Sequence, residues 1–491
     1  MTNSDHLFSL KNEGSLLTRA ANILSYVAIG ILLGGASGVI IVEVNQPTYI
    51  VFGLMSIFAF VVAILNVEFG LLVLVFLVYT RLSDILVHNY DLPSMAQWYI
   101  ALMIGAILAR WALFREVPRG WLKPAILIGV YGLICFASLL YASETTNVQD
   151  ALVVFAKDAI ITIVVVILLQ KGTSFLRVIW VLIGVGIFLG TISCIQYFTG
   201  TFTSEYGGFA IARVMHIVGD VGSYRIGGPI GDPNFFAQIM VVITPMALER
   251  LLHERTIIRR GLALWSLLVC VLSILFTYSR GGFLAITVAM AIFFLIYPPR
   301  FYQVPFLIIS FLAILVFSPP QYIDRIFSLG GLLPSPGSVR MLDSSLSERA
   351  TLNLVSLEMI KSNPLLGVGL NNYGSVFNEY AKRIGADIGL NYASAHDLYI
   401  EVVTETGFFG LTAFMTIVVS SVVLVWKTRK KFLQANLSDY AGMVSGFGVG
   451  LIGYLTAAFF IHGAFPRYLF LLIGIAFSLQ SVTRDVLHEK G

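Results

Sequence analysis

Residues 151–170 read ALVVFAKDAIITIVVVILLQ, an apolar run whose only charged residues are Lys157 and Asp158. An α-helix needs about 20 residues of this kind to cross the hydrocarbon core of a bilayer. Because a backbone in lipid must satisfy its own hydrogen bonds, a continuous apolar run predicts a membrane-spanning helix. Lys157 and Asp158 then lie in mid-span, where their simplest role is a buried charge pair inside a bundle.

The composition extends this prediction to the whole chain. Of its 491 residues, 57% are hydrophobic and only 12% are charged, whereas about 25% are charged in a typical soluble domain. This composition excludes a water-soluble, coiled-coil, collagen-like or disordered protein. The net charge of +4 is too small to indicate nucleic-acid binding. The three cysteines lie in apolar runs, which argues against a disulfide framework or a zinc site.

Apolar runs recur about fourteen times, each close to the roughly 20 residues of one membrane crossing. The short alternating segments of a transmembrane β-barrel are not found. We therefore expect an all-α integral membrane protein, a polytopic helical bundle of about 12–14 transmembrane helices with one large periplasmic loop. The runs are residues 22–43, 48–65, 68–86, 96–113, 123–141, 151–170, 174–199, 233–252, 260–278, 281–298, 302–318, 396–426, 441–462 and 465–482.

Basic residues cluster at alternate ends of these runs, which predicts that those ends face the cytoplasm. Both termini fall on the same side. The polar start of the chain is then a cytoplasmic tail before a retained first helix, and not a signal peptide. The clusters are Arg110, Arg115, Arg119 and Lys123; Lys171 and Arg177; Arg250, Arg255, Arg259 and Arg260; Arg300; and Lys427, Arg429, Lys430 and Lys431.

This topology divides the chain into five regions. They are a cytoplasmic tail (1–21), N-terminal membrane helices (22–199), central membrane helices with arginine motifs (200–318), a large periplasmic loop (319–395), and C-terminal membrane helices with a cytoplasmic tail (396–491). A loop of this length in a compact protein is usually functional.

One stretch of the large loop has helical periodicity. Ser347 is a candidate N-cap, and Leu352, Val355, Met359 and Ile360 follow on one face. This pattern favours a helix that lies on the membrane surface or against the bundle.

Arginines also occur on the predicted outer side, against the usual bias. A guanidinium group binds phosphate oxygens in pairs, so these arginines indicate a polyanionic ligand such as a lipid-linked diphosphate. Anchoring to lipid headgroups is the alternative role for each of them. The outer basic residues are Arg81, Arg213, Arg225, Arg280, Arg325, Arg340, Arg349, Lys361, Lys382, Arg383 and Arg467.

Two of these arginines have surroundings that suit an anion. Arg225 lies in YRIGGPIGDPNFFAQ, where Asp232 and Pro233 predict the N-cap and first residue of the next helix. A helix N-terminus beside an arginine is a natural anion site. Arg280 lies in TYSRGGFLA, in a very short turn between two runs. We expect the two glycines after Arg280 to leave room for a ligand.

A histidine opens the run that follows the large loop. His396 lies in SAHDLYIEVVTETGFFGL, and its imidazole is a candidate proton acceptor near neutral pH. Asp397 follows directly, and Glu401 and Glu405 lie about one and two turns further along. Carboxylates inside a membrane segment are costly, so we expect them to be paired or to face a wet cavity. A purely structural role is the alternative for a lone interfacial histidine.

These segments together resemble the bacterial O-antigen ligase and O-antigen (exopolysaccharide) polymerase superfamily of membrane glycosyltransferases. The family pattern of a histidine, a small polar residue, nine residues and Gly-x-x-Gly is matched by His396, Asp397, Gly407 and Gly410. Asp397 replaces the usual Asn, Ser or Gln. Residues 364–369 (PLLGVG) resemble the outer-loop signature of the family.

The two arginine segments complete this resemblance. Residues 225–234 are similar to a family motif that precedes a membrane helix, and Ser279-Arg280-Gly281 is similar to the second arginine motif. The four motifs span residues 220–415, and the first 200 residues match only as a generic helix bundle.

The resemblance implies a mechanism and a GT-C-like bundle. The donor would be a glycan on undecaprenyl diphosphate at the periplasmic face of the bacterial inner membrane. Arg225 and Arg280 would bind the diphosphate, and His396 would take the proton of an acceptor hydroxyl. The family works without a metal or cofactor and inverts the anomeric carbon. Supporting residues would be Asp232, Asn234, Asp397, Glu401 and Arg467.

Several alternatives remain at this stage. A ligase would pass the glycan to lipid A-core, and a polymerase would pass it to another lipid-linked repeat unit, in either case alongside other polysaccharide-assembly proteins. The competing class is a secondary transporter for a small anion or a polysaccharide intermediate, although transporter charges usually lie near the midplane. A structural assembly protein that only binds lipid-linked sugar is the third alternative.

Overall fold

The structure is a computed structural model that describes residues 66–214, 224–300, 344–386, 395–461 and 466–489. The predicted runs 22–43, 48–65 and 302–318, the tail 1–21 and most of the loop before residue 344 lie outside the described residues. The chain forms two compact units, residues 1–70 and 71–491, and all contacts discussed below lie within the second.

The protein is an all-α polytopic membrane protein. Among the described residues, nine helices are long and apolar enough to cross a membrane, or ten if the bent pair Val67–Thr80 and Leu82–Tyr90 counts as one span. The helices are α1 (Val67–Thr80), α2 (Leu82–Tyr90), α3 (Met95–Phe114), α4 (Leu122–Ala137), α5 (Thr145–Leu168), α6 (Gly172–Thr199), α7 (Pro233–His253), α8 (Ile257–Phe276), α9 (Arg280–Ile296), α10 (Ser344–Ser362), α11 (Tyr373–Arg383), α12 (Leu398–Gln434), α13 (Ser438–Ala457) and α14 (Pro466–His488), with a ribbon of β1 (Ala212–Val214) and β2 (Tyr224–Ile226).

The predicted run 68–86 is a bent pair of helices and not one straight helix. Helices α1 and α2 meet at Arg81, where the chain adopts a left-handed conformation (φ 55°) and turns by 56°. The Nε atom of Arg81 donates to Asp84 at 2.9 Å. Hydropathy carries no signal for such a bend, since both helices are apolar.

Helices α7, α13 and α14 are the most buried of the described spans. Helix α13 presents glycines to α7: a Cβ atom on Gly446 would lie 3.2 Å from the carbonyl oxygen of Pro245, and one on Gly450 would collide with the carbonyl oxygen of Val242. Small residues at every turn let two membrane helices approach closely. The two arginine motifs and the histidine motif are attached to this tightly packed centre.

The predicted loop helix exists, but it begins earlier than expected. Helix α10 begins at Ser344, so Ser347 is not its N-cap. Asp343, Ser344 and Ser345 precede Ser347, and all of these residue types suit a helix start, so the sequence could not choose among them. Its buried face is as predicted, with Leu352, Val355 and Met359 in a core shared with α11.

Helix α12 is interrupted at Gly407, whose φ of 65° and ψ of −171° are not helical. In a regular helix Phe408 and Phe409 would donate to the carbonyls of Thr404 and Glu405. Here Phe408 N donates to Pro364 O (2.8 Å) and Phe409 N to Leu365 O (3.3 Å). In return, the carbonyls of Thr404 and Glu405 each accept a bond of 2.9 Å, from the N–H groups of Val368 and Gly369 respectively. The loop 364–369 is therefore inserted into the helix.

The same loop is held from its other side by the turn between α4 and α5. The hydroxyl of Tyr141 donates to Leu366 O at 2.5 Å, and Leu370 N donates to Ser138 Oγ at 3.2 Å. Asn372 and Glu144 exchange two bonds, of 2.8 and 3.1 Å. These bonds fix α10 and α11 to one end of the bundle.

Asp158 is buried in mid-span as expected, but its nearest ion-pair partner is not Lys157. The Nε atom of Arg467 on α14 lies 3.7 Å from Asp158 Oδ1. Consecutive residues on a helix point in different directions, so neighbouring opposite charges do not meet each other. The sequence-based pairing of Lys157 with Asp158 was wrong for this reason.

Replacing Gly407 with alanine should destabilise the protein. Its backbone conformation is almost confined to glycine, and strain of this kind costs roughly 1–3 kcal/mol. A Cβ atom there would also collide with the carbonyl of Leu365. We expect Gly407→Ala to lower the thermal unfolding midpoint in detergent by several degrees. Gly184→Ala is the control, because a Cβ atom at this helical glycine meets nothing within 4 Å. Equal midpoints for the two variants would contradict the inserted-loop geometry.

Candidate active site

Arg225 lies on the short ribbon that leads into helix α7. Strands β1 and β2 are antiparallel, and Arg213 and Arg225 are directly opposed. Side chains of opposed residues share one face of a ribbon, so the two guanidinium groups lie on the same side. Arg225 is 6% exposed, whereas Arg213 is exposed to solvent.

The guanidinium group of Arg225 connects the two arginine motifs. Its Nε atom donates to the carbonyl oxygen of Thr277 at 2.7 Å, three residues before Arg280. Its Nη2 atom donates to Asn234 Oδ1 at 3.3 Å. The start of α7 and the turn before α9 are therefore joined through one side chain.

Helix α7 begins as the sequence predicted. Asp232 is the N-cap, and its carboxylate accepts from Asn234 N (2.8 Å) and Phe235 N (3.2 Å), with Pro233 as the first helical residue. Gly228 before it has a φ of 54°, and a Cβ atom there would collide with the ring of Phe236. Asp232 therefore fixes the start of α7, and Asn234 contacts Arg225 directly.

Arg280 is the first residue of α9, directly after the N-cap Ser279, which accepts from Gly282 N at 3.1 Å. We expected the glycines after Arg280 to leave room for a ligand, and this was wrong. A Cβ atom on Gly281 would lie 2.6 Å from Phe460, and one on Gly282 would lie 2.6 Å from Ala237. The space is filled by neighbouring helices, because small residues permit close helix packing.

His396 lies at the junction between the pair α10 and α11 and the start of α12. Its φ of 50° is left-handed, an unusual and costly conformation for a residue other than glycine. The preceding Ala395 is buried in the core of α10 and α11. Tyr399, in the first turn of α12, donates to Leu455 O at 2.9 Å and packs its ring 4.4 Å from that of Phe459.

These contacts bring the arginine and histidine motifs to one end of the bundle. The 3₁₀ turn Ala458–Phe460 at the end of α13 is their shared neighbour. Phe460 packs against the start of α9 beside Arg280, and Phe459 packs against the first turn of α12 beside His396. Arg225 is linked to the same place through Thr277. Residues far apart in sequence are thus gathered around one turn.

Asp397 is the N-cap of α12. Its Oδ1 atom accepts from Tyr399 N at 2.8 Å and from Ile400 N at 3.1 Å. Burial raises the pKa of the Asp397 carboxyl, while these two donors act in the opposite direction. Asparagine and serine form the same type of cap. The departure from the usual family residue therefore preserves the helix start beside His396.

Glu405 has a role that the sequence did not assign. It is buried, and its carboxylate accepts from Asn371 N at 2.8 Å and from Tyr373 N at 3.3 Å. It thereby holds the start of α11 against α12. Glu401 lies one turn earlier and is half-buried. The position of Glu405, two turns inside an apolar run, was the only sequence signal that this carboxyl group has a role. Its hydrogen-bond partners could not be predicted, because they lie more than thirty residues away in the chain.

Arg467 lies among carboxylates. Its Nη1 atom is 3.2 Å from Asp84 Oδ1, and its Nε atom is 3.7 Å from Asp158. It ties together α2, α5 and α14.

The site brings arginine side chains and a histidine together beside two helix starts. Arg213 extends the arginine pair that the sequence singled out, since the ribbon opposes it to Arg225. The sequence could not predict that Arg213 and Arg225 face each other, because strands of three residues leave too weak a pattern to recognise. Within the described part of the chain, no three His, Cys, Asp or Glu side chains are grouped to hold a metal ion.

Residues 265–415 match the family model described as O-antigen ligase. The match contains Arg280, the inserted loop 364–369, His396 and Gly407, whereas Arg225 precedes it. This match covers only part of the chain, and it supports a relationship to the O-antigen ligase and polymerase superfamily and glycosyltransferase activity of the O-antigen ligase type. A comparison with curated protein sequences gives no significant match.

Removing the Glu405 carboxylate should loosen the start of α11. A hydrogen bond contributes about 0.5–1.5 kcal/mol, and loss of the acceptor also leaves two N–H groups in the protein without a partner. In Glu405→Ala, we expect the amides of Asn371 and Tyr373 to exchange with deuterium roughly tenfold faster or more. Hydrogen-exchange mass spectrometry of the detergent-purified protein measures this. Glu379→Ala removes an exposed pair with Arg383 on α11 and should leave these amides unchanged. Unchanged exchange in Glu405→Ala would show that the carboxylate does not hold the loop.

Proposed function

We propose that the protein transfers a glycan from undecaprenyl diphosphate to an acceptor hydroxyl at the outer face of the bacterial inner membrane, with both termini in the cytoplasm. The observation that carries this proposal is the bond from Arg225 to Thr277 O, which joins the two arginine motifs at the end of the bundle where α12 begins with the histidine motif. The family match supports the reaction class.

The orientation is supported by the distribution of charge along α12. His396 precedes its first residue, and Lys427, Arg429, Lys430 and Lys431 lie near its far end. Basic residues favour the cytoplasmic side. The histidine end then faces the periplasm, where a lipid-linked glycan would meet its acceptor.

In the proposed reaction, His396 accepts the proton of the acceptor hydroxyl as its oxygen attacks the anomeric carbon. The bond between that carbon and the diphosphate oxygen breaks, and undecaprenyl diphosphate leaves with the bonding electron pair. Arg225 and Arg280 bind the diphosphate and offset its growing negative charge. Attack from the face opposite the leaving group inverts the anomeric carbon, and no step requires a metal ion.

The architecture supports this division of roles. Arg225 is fixed by two hydrogen bonds, so a phosphate group meets a preorganised guanidinium. His396 is held between the core of α10 and α11 and the first turn of α12. The outer helices lie beside the histidine, where they are placed to contact the acceptor. The acceptor is lipid A-core for a ligase and a lipid-linked repeat unit for a polymerase.

A purified-protein assay tests the proposal. Protein in detergent is given a lipid-diphosphate-linked glycan and candidate acceptors, and the release of undecaprenyl diphosphate is measured. We expect His396→Ala to lower the rate by roughly 10²–10⁴-fold, as loss of a general base does. Wild-type protein that releases no undecaprenyl diphosphate with any acceptor would refute the transferase.

The diphosphate role has its own test. Arg225→Lys keeps the charge but loses the planar fork that binds phosphate and the bonds to Thr277 and Asn234. We expect a rate loss of roughly 100-fold, as for a lost transition-state donor. Arg110→Lys on α3, where the arginine pairs with the exposed Glu116, is the matched control and should retain the wild-type rate. Full activity in Arg225→Lys would exclude phosphate binding at this position.

The surface glycan of a deletion strain separates the two acceptors. Single repeat units that fail to polymerise would identify a polymerase, and long chains retained on the lipid carrier would identify a ligase.

A further inference from the structure

A groove between α3, α4 and α5 lies at the end of the bundle opposite His396. Its volume is about 740 Å³, and it is lined only by apolar residues and glycine. The lining comes from the last half of α3, the first half of α4 and the last half of α5. The opposite ends of α4 and α5 carry the turn that holds the outer loop. We call it the lateral groove, and its principal lining residues are Trp111, Trp121, Ile128, Phe155, Ile160 and Ile163.

The loop from α3 to α4 closes one end of the lateral groove and is strongly basic. Val117 and Pro118 of this loop line the groove, and Arg115, Arg119 and Lys123 beside them are exposed. Among the described residues, none of these three basic side chains forms an ion pair with a carboxylate. The acidic residue of the loop, Glu116, is already bonded to Arg110 at 2.8 and 2.9 Å. These three basic residues therefore form a positively charged rim at one end of the apolar lateral groove.

Two tryptophans lie where the groove meets this rim. Trp111, near the end of α3, is 52% exposed, and Trp121, directly before α4, is 39% exposed. Tryptophan is enriched at the level of the lipid headgroups, because its ring is apolar and its N–H is polar. The rim thus lies at the depth of headgroup phosphates, and the groove extends from there towards the acyl chains.

We propose that the lateral groove binds one anionic diacyl phospholipid of the adjacent leaflet. An acyl chain lies along the groove, and the phosphate contacts Arg115, Arg119 and Lys123. Basic pockets between membrane helices on the cytoplasmic side select anionic headgroups. An uncharged or zwitterionic lipid would fill the apolar groove without using the positive rim. This site is independent of the proposed transferase reaction, whose lipid diphosphate is placed at the other end of the bundle.

Native mass spectrometry of the full-length protein in mild detergent tests the proposal with phosphatidylglycerol and phosphatidylethanolamine as probes. We expect bound phosphatidylglycerol to exceed phosphatidylethanolamine when the two are added in equal amounts. Each basic residue near a membrane surface contributes roughly a fivefold affinity gain for anionic lipid, so Arg115→Gln with Lys123→Gln should lower phosphatidylglycerol binding about 30-fold. Lys427→Gln with Lys430→Gln removes the same charge from exposed lysines of α12, and it should leave binding unchanged.

A second variant tests the groove without changing any charge. Gly129 lines the groove, and a Cβ atom there meets nothing within 4 Å, so Gly129→Leu places a side chain in its open space. We expect it to abolish retention of phosphatidylglycerol. Gly184→Leu introduces the same side chain at a helical glycine of α6 outside the groove and should not affect retention.

Equal binding of the two phospholipids would overturn the proposal, as would an equal loss in the Lys427→Gln with Lys430→Gln control or full retention in Gly129→Leu. Co-purification of a polyprenyl phosphate in place of a phospholipid would also overturn it. The unfolding midpoint of each variant, measured without added lipid, separates lost binding from misfolding.

Discussion

At Gly407, helix α12 gives up hydrogen bonds within itself and forms bonds with the loop 364–369. The N–H groups of Phe408 and Phe409 and the carbonyls of Thr404 and Glu405 all find partners in that loop. A break in a membrane helix is tolerated only when the freed backbone groups are satisfied elsewhere in the protein. Helix and loop are therefore mutually dependent, and this exchange fixes the position of α10 and α11.

This dependence explains two glycine motifs at once. Gly367 and Gly407 both have a positive φ, and a Cβ atom on either would collide with the backbone of the other segment. The segment that resembles the outer-loop signature and the Gly-x-x-Gly of the histidine motif are thus two sides of one contact. Glu405 adds a buried carboxylate to the same contact and holds the start of α11. The contacts that stabilise the break also fix the position of His396, because His396 lies three turns before Gly407.

The two ends of the bundle have different chemistry. One end gathers arginines, a histidine and two polar helix starts around the turn Ala458–Phe460. The other end has a basic loop above an apolar groove. Both ends rest on the same centre, where the glycines of α13 let it approach α7 closely. The close packing of α13 on α7 therefore gives both ends of the bundle one common support.

The amino-acid sequence by itself determined most of the apolar helices within the described residues and the start of α7, because hydropathy and N-capping are local properties, but it did not reveal the bend at Arg81. It also identified Arg225, Arg280 and His396 as candidates, because their residue types and spacing follow a family pattern. Only the tertiary structure decided which residues contact each other in and around this site. Gly281 and Gly282 pack against helices, Asp158 faces Arg467 and not Lys157, and Glu405 binds a loop more than thirty residues away. These are contacts between distant segments, and they depend on how the helices pack rather than on any property of the residues' neighbours in sequence.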